Sequence, residues 1–350
     1  MTRKHGGSAL LLVGCVIGLY ASFVSWSVLQ ERINTIPYGV DEYGKPIFFN
    51  ASLVVNAAQA LFAALIGLLY SLVAYQRNPF DVFTKNDGQT GNKLLRYFCL
   101  VALTSSISSP IGYQLMKHVD YLVYLLAKSC KLIPVMIVHT ALYRTRFLLE
   151  KHVVALMVTA GVAVFTLAHS KKKQALSVDD NDPILGVFLL AVSMILDGLM
   201  NSTQDQIFKL QRTTKLEAKV TGATLMTVLN LLVFVLTAGY TILFNFNQIK
   251  YTVGFIHRYP EVLLNVVSFA ALGAVGQVFV FIILEKFDSL VLVTATVTRK
   301  MISMILSVVL FGHYLNMRQW IGVALVFGGI GYEALLKILS TKSTTKMKKS

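Results

Sequence analysis

Four cations embedded in apolar runs are the residues of this sequence whose type and spacing point to chemistry. Lys128 and Lys131 lie in YLVYLLAKSCKLIPVMIVHTALY, residues 121–143. That run of about twenty mostly apolar residues is long enough to cross the hydrocarbon core of a bilayer. Three residues apart, the two lysines share one face of a helix. Arg299 and Lys300 occupy a similar run, residues 289–311. A cation at the bilayer centre costs about 2.5–3.5 kcal/mol on insertion scales, so four together cost roughly 10–14 kcal/mol. Snorkelling from a helix end is the plainer reading, but Lys128 and Arg299 stand about ten residues inside their runs, far from either end. Pairing with intramembrane acids is the other. The expected role of Lys128, Lys131, Arg299 and Lys300 is to surround an anionic substrate. Arginine suits bidentate contact with phosphate, and lysine acts as a movable point charge.

Polar residues on other runs would complete such a site. In DGLMNSTQDQIFK, Asp197, Asn201, Gln204 and Asp205 fall at i, i+4, i+7 and i+8 and form one helical stripe. Asn201 and Gln204 are candidates to read a sugar or base, and the stripe is also placed to pair with the cations when the site is empty. Interhelical hydrogen bonding is the structural alternative. Glu31, in WSVLQERI, reads either as a partner for a basic residue at a cavity mouth or as a solvated loop charge; the sequence by itself favours the second. The three cysteines, Cys15, Cys99 and Cys130, form no spaced framework. No metal, redox chemistry or cofactor is therefore implied.

The elements that must position these residues follow from composition. The 350 residues are 55% hydrophobic and only 14% charged, with mean hydropathy +0.64. Apolar runs of membrane-spanning length recur from end to end, so the chain reads as one membrane-embedded domain. The net charge of +15 sits mostly in short connections between runs, where it orients helices. Nucleic acid is not an expected partner. The N-terminal apolar stretch is longer than a signal peptide's and reads as an uncleaved first helix.

The runs divide into ten expected spans, at about 8–29, 51–75, 94–115, 119–142, 152–169, 184–206, 220–244, 262–284, 289–311 and 317–338. Ten spans put both termini on one side. Most of the Lys and Arg between spans then fall on that same side, which the positive-inside rule makes cytosolic. The Lys171–Lys173 triplet runs against this assignment. KLIPVMIVHTALY from Lys131 lies over KMISMILSVVLFG from Lys300, so the fourth span corresponds to the ninth. The fold class expected is an all-α polytopic membrane protein, ten helices in a five-plus-five inverted repeat. Its halves are about 8–169 and 184–338, with a cytosolic tail at 339–350. Inverted repeats place substrate near the midplane at their interface.

Small residues Ala270, Gly273 and Gly276, and again Gly328, Gly329 and Gly331, indicate close helix packing, with a homodimer as the alternative. Lys346 and Lys348 have the spacing of a dilysine retrieval signal, so retrieval machinery is an expected partner beside the lipid bilayer.

The segments LQERI, LAKSCKLIPVM, DGLMNSTQDQ and TVTRKMISMILSVVLFG resemble the endoplasmic-reticulum branch of the nucleotide-sugar transporters, within the drug/metabolite transporter superfamily. The likeness covers most of the chain. It implies a ten-helix inverted-repeat fold, residence in the endoplasmic reticulum, and substrate roles for Lys128, Lys131, Arg299 and Lys300, with added weight for Glu31 and Gln204. The sequence departs from the family pattern at Leu122 and Tyr124, where relatives tend to carry proline and glutamine. It departs again at Cys130-Lys131-Leu132-Ile133-Pro134, where CKPIP is usual. Substrate choice therefore carries over less readily than fold.

The expected function is not enzymatic. It is antiport of a nucleotide sugar, UDP-galactose or UDP-glucose, into the lumen against a uridine nucleotide. An ATP/ADP exchanger of the same membrane is the alternative. A membrane-embedded glycosyltransferase is further off, because Asp179–Asp182 is the only acidic cluster.

Overall fold

The computed structural model describes residues 3–119, 121–129, 132–143, 149–173, 183–214, 218–286, 289–310 and 315–347. Thirteen α-helices run through them: α1 Arg3–Thr35, α2 Ser52–Tyr70, α3 Asp81–Thr84, α4 Gly88–His118, α5 Tyr121–Ser129, α6 Leu132–Tyr143 and α7 Leu149–Lys173, then α8 Pro183–Thr213, α9 Gly222–Phe244, α10 Phe246–Arg258, α11 Glu261–Lys286, α12 Ser289–Leu310 and α13 Met317–Met347. A two-residue hairpin, β1 Gly39–Val40 with β2 Pro46–Ile47, joins α1 to α2.

Six of these helices are long and apolar enough to cross a membrane, over Leu10–Thr35, Ser52–Tyr75, Gly88–Met116, Leu185–Gln211, Gly222–Phe244 and Glu261–Ile283. Large apolar side chains point outward along them, among them Leu65, Leu69, Val73, Leu243 and Leu264. In water such a surface would be an aggregation hazard; in lipid it is the solvated face. The protein is an all-α polytopic membrane protein.

Each expected span coincides with a helix, the fourth over its described residues as α5 and α6, with two differences. First, α10 (FNQIKYTVGFIHR) was not among the expected elements. It is amphipathic, burying Thr252 and Phe255. Secondly, α13 continues through the polar tail to Met347 rather than stopping near 338.

Helices pair along their lengths: α7 with α13, α2 with α9, α4 with α8, and α1 with α11. Further contacts join α2 to α11, α4 to α9, α6 to α8 and α1 to α12. Backbone approach sets the tightest crossings. A Cβ on Gly161 would lie 2.8 Å from the Gly322 carbonyl oxygen, and one on Gly322 would lie 2.7 Å from that of Gly161. The expected small-residue stripe on α11 is used: Gly273 accommodates Trp26 and Gly276 accommodates Phe23, both from α1. Of the three expected on α13, Gly329 is so used, against Val158; Gly328 and Gly331 meet nothing among the described residues, which corrects the packing expected of all three.

The hairpin end is capped by an aromatic cluster in which Phe49, Tyr38, Tyr251 and Tyr259 surround Phe255. The Tyr251 hydroxyl donates to the Phe48 carbonyl at 3.1 Å. Arg32 and Glu261 form an exposed ion pair across the same end at 3.3 Å.

Candidate substrate site

The site is assembled from one face each of α1, α5, α8 and α12, with a hydroxyl from α4. On α1, Ser27, Gln30 and Glu31 fall at i, i+3 and i+4, and all three are buried. On α5, Tyr121, Tyr124 and Lys128 fall at i, i+3 and i+7. The Tyr121 hydroxyl bridges α5 to α1, lying 3.0 Å from both the hydroxyl and the carbonyl of Ser27 and 3.4 Å from Gln30 Oε1. It also lies within electrostatic reach of Glu31 and Arg299.

Lys128 points into the bundle. Its Nζ donates to Asp197 Oδ2 at 2.5 Å and to Ser193 Oγ at 2.7 Å, both on α8. The other carboxylate oxygen of Asp197 accepts from Ser108 on α4 at 2.6 Å. Lysine and aspartate side chains are 19% and 22% exposed, so this is an interior pair and not a snorkelling cation. The ammonium also sits 5.9 Å from the centre of the Tyr124 ring. Ala127, Pro134, Asp197, Gly198 and Asn201 line a small cleft beside it. There α6 and α8 approach so closely that a Cβ on Gly198 would lie 2.6 Å from the Pro134 carbonyl oxygen.

Arg299, on α12, is held differently. Its guanidinium lies 4.5 Å from the centre of the Phe23 ring. Its Nε is buried with no hydrogen-bond partner among the described residues. One turn on, at i+4, the Ser303 hydroxyl is in the same condition. Buried polar groups are nearly always satisfied, so these two unpartnered groups on one face of α12 are exceptions among the described residues. Lys300 is half-buried and engaged by its neighbours.

The sequence expectations divide accordingly. Lys128 and Arg299 are interior cations, and Asn201 lines the cleft, its amide donating to the Asp197 carbonyl at 2.6 Å. Gln204 is half-buried one turn further along α8, while Asp205, of the same stripe, is exposed. The solvated-loop reading of Glu31 is overturned: it is 1% exposed and accepts from Ser307 of α12 at 2.6 Å. It looked like a loop charge because Arg32 follows it directly, but α1 continues to Thr35 and keeps Glu31 on the helix's inner face. Lys131 and Lys348 lie outside the described residues, as do the side chain of Lys346 and the loop Asp179–Asp182. Ser27, Gln30, Tyr121, Ser193 and Ser307 were not singled out from sequence, and Tyr124 only as a departure from the family pattern. Their signal was there, as polar residues at helical spacing in line with a charge.

The arrangement presents two interior cations, Lys128 on a carboxylate partner and Arg299 with an unsatisfied Nε, with hydroxyls and amides around them.

Comparison with known proteins agrees with this chemistry. The model of the UAA transporter family matches residues 11–337. A protein of Debaryomyces hansenii named UDP-galactose transporter homolog 1 is 57% identical over 99% of both chains. Proteins of the same name from Candida albicans and Saccharomyces cerevisiae are 52% and 40% identical, over 99% and 95% of this chain and 94% and 96% of theirs. One solved structure, described as "Crystal structure of protein", shares the fold with a TM-score of 0.53 at 14% identity, covering 92% of this chain and 98% of that one. The chain therefore belongs to the UAA transporter family, among the nucleotide-sugar transporters its motifs resemble, and is a transporter rather than an enzyme.

Proposed function

We propose that this protein is a nucleotide-sugar antiporter of the endoplasmic reticulum membrane. It carries UDP-galactose or UDP-glucose into the lumen in exchange for a uridine nucleotide, by alternating access. The observation that carries this reading is the pair of interior cations, Lys128 held by Asp197 and Arg299 with its Nε unsatisfied. A diphosphate would satisfy Arg299 and take the place of Asp197 on Lys128. In this reading Lys128, Lys131, Arg299 and Lys300 hold the phosphates, Asn201 and Gln204 bond the sugar or base, and Glu31 ties α1 to α12. Both termini lie in the cytosol, and the Lys346/Lys348 tail engages retrieval machinery.

One feature of the fold supports the mechanism. The helix pairing has the symmetry expected of a five-plus-five inverted repeat. If α1, α2, α4, α5–α6 and α7 correspond to α8, α9, α11, α12 and α13, the pairs α7–α13 and α2–α9 map onto themselves. Contacts α4–α8, α2–α11 and α6–α8 then map onto α11–α1, α9–α4 and α12–α1, all of which occur.

Counterflow in proteoliposomes tests the reading. Vesicles preloaded with UMP, UDP or ADP are offered labelled UDP-galactose, UDP-glucose and ATP. Uptake of a UDP-sugar only into uridine-nucleotide-loaded vesicles is the expected result. Uptake of ATP only against ADP would reassign the cargo to adenine nucleotides, and no uptake by folded protein would overturn transport of either.

A further inference from the structure

A second basic cavity lies away from the interior cations, at the end of the bundle where α4 and α9 begin and α2 ends. Its volume is about 220 Å³, and Tyr75, Arg77, Asp81, Lys85, Lys219 and Thr221 are among its walls. That is below the roughly 300–1,000 Å³ usual for sites that enclose drug-sized ligands, so it suits a compact charged group rather than a nucleotide sugar.

The walls are built, not incidental. The last turn of α2 widens into a π-helix, Ser71–Tyr75, and closes on Gln76 at φ 49, a left-handed conformation that a non-glycine residue rarely adopts. The Ser71 hydroxyl fixes this turn by donating to the Arg77 carbonyl at 3.0 Å. Opposite, buried Asn86 donates to the carbonyls of Val82 and Ala218 at 2.7 and 3.1 Å and accepts from the Ala218 N–H at 3.2 Å. It thereby clips the turn bearing Asp81 and Lys85 to the segment bearing Lys219. Lys85 is paired with Asp81 at 2.7 Å. Among the described residues, Arg77 and Lys219 have no carboxylate partner. Leu69, Leu72 and Val73, on the turns just before the cavity, are 62%, 50% and 72% exposed. These apolar side chains stand on the same helix end that supplies Ser71 and Tyr75 to the cavity.

We propose that this cavity binds the phosphate headgroup of an anionic phospholipid. Arg77 contacts the phosphate, Lys219 adds a second charge, and an acyl chain lies along Leu69, Leu72 and Val73. The site is separate from the transport site, and its test does not depend on which substrate is carried.

Native mass spectrometry of the full-length chain in detergent, titrated with phosphatidylinositol or phosphatidylcholine, reads it directly. One phosphatidylinositol per chain is expected, with no saturable phosphatidylcholine. Arg77→Gln with Lys219→Gln should weaken phosphatidylinositol binding about thirtyfold, at about 1 kcal/mol for each cation near an anionic headgroup. Lys93→Gln with Arg96→Gln removes equal charge from the same end of the bundle outside the cavity and should leave binding intact. Equal retention in both double variants, or equal loss, would overturn the site. A thermal shift with inorganic phosphate that Arg77→Gln and Lys219→Gln abolish, without a lipid adduct, would assign the cavity to soluble phosphate and overturn the lipid.

Discussion

At the scale of single residues, Asp197 is the internal competitor of the substrate in the proposed transport cycle. Its carboxylate holds Lys128 at 2.5 Å and is itself held by Ser108. Any phosphate that takes Lys128 must displace it, forfeiting a charge-assisted bond of about 1.5–3 kcal/mol. Asp197→Asn keeps the shape and removes the charge. It is expected to lower the KM for the anionic substrate about tenfold, as the loss of ~1.4 kcal/mol of competition implies. A raised KM in counterflow would instead mean that Asp197 helps bind substrate. Lys128→Ala leaves the carboxylate buried on Ser108 alone, so its melting temperature should fall; adding Asp197→Asn should restore much of the loss. Ser307→Ala removes the hydroxyl that donates to Glu31 at 2.6 Å in a buried setting. A loss of about 1–3 kcal/mol is expected, read as a lower melting temperature that Glu31→Gln in the same chain does not deepen further.

At the scale of elements, the close approach of α6 to α8 aligns Lys128 with Asp197, and Gly198 permits that approach. A methyl there would meet the Pro134 carbonyl oxygen at 2.6 Å and its Cβ at 2.8 Å. Backbone cannot rotate away as a side chain can. Gly198→Ala should destabilise by about 1–3 kcal/mol through overpacking and lower transport together with it. Gly254→Ala on α10 meets nothing within 4 Å and should be neutral or raise the melting temperature by up to the ~1 kcal/mol helix preference for alanine. The same elements show what the sequence could and could not disclose. Length and hydropathy were enough for the six helices long and apolar enough to cross a membrane, because a run of some twenty apolar residues has few other uses. The helix α10 was missed because its stripe of Thr252 and Phe255 is too short and polar for a span. Glu31 was misread for a deeper reason. No local pattern tells that α12 will bring Ser307 beside α1, since that contact spans 276 residues.

At the scale of the molecule, the interior cations would supply a reason for the proposed exchange to be obligatory. An empty carrier must pass through its switching state with Arg299 Nε unsatisfied and Lys128 tied to α8, whereas a loaded one carries the phosphates that satisfy both. A poorly compensated cation in the membrane interior costs about 2.5–3.5 kcal/mol. Since 1.4 kcal/mol is a tenfold change in rate, the empty return should be slower than the loaded one by on the order of 100-fold. The measurable quantity is the ratio of initial uptake into nucleotide-loaded vesicles to uptake into empty ones. Arg299→Gln weakens the hold on phosphate and at the same time removes the charge that opposes empty return. It should therefore reduce loaded exchange while raising unidirectional uptake relative to it, so that the ratio collapses toward unity. A variant that merely damages the fold lowers both rates and leaves their ratio high. If Arg299→Gln loses affinity yet keeps the wild-type ratio, coupling does not originate in the unsatisfied guanidinium, and the helix pairs that must open, not the charges they enclose, set the barrier to empty return.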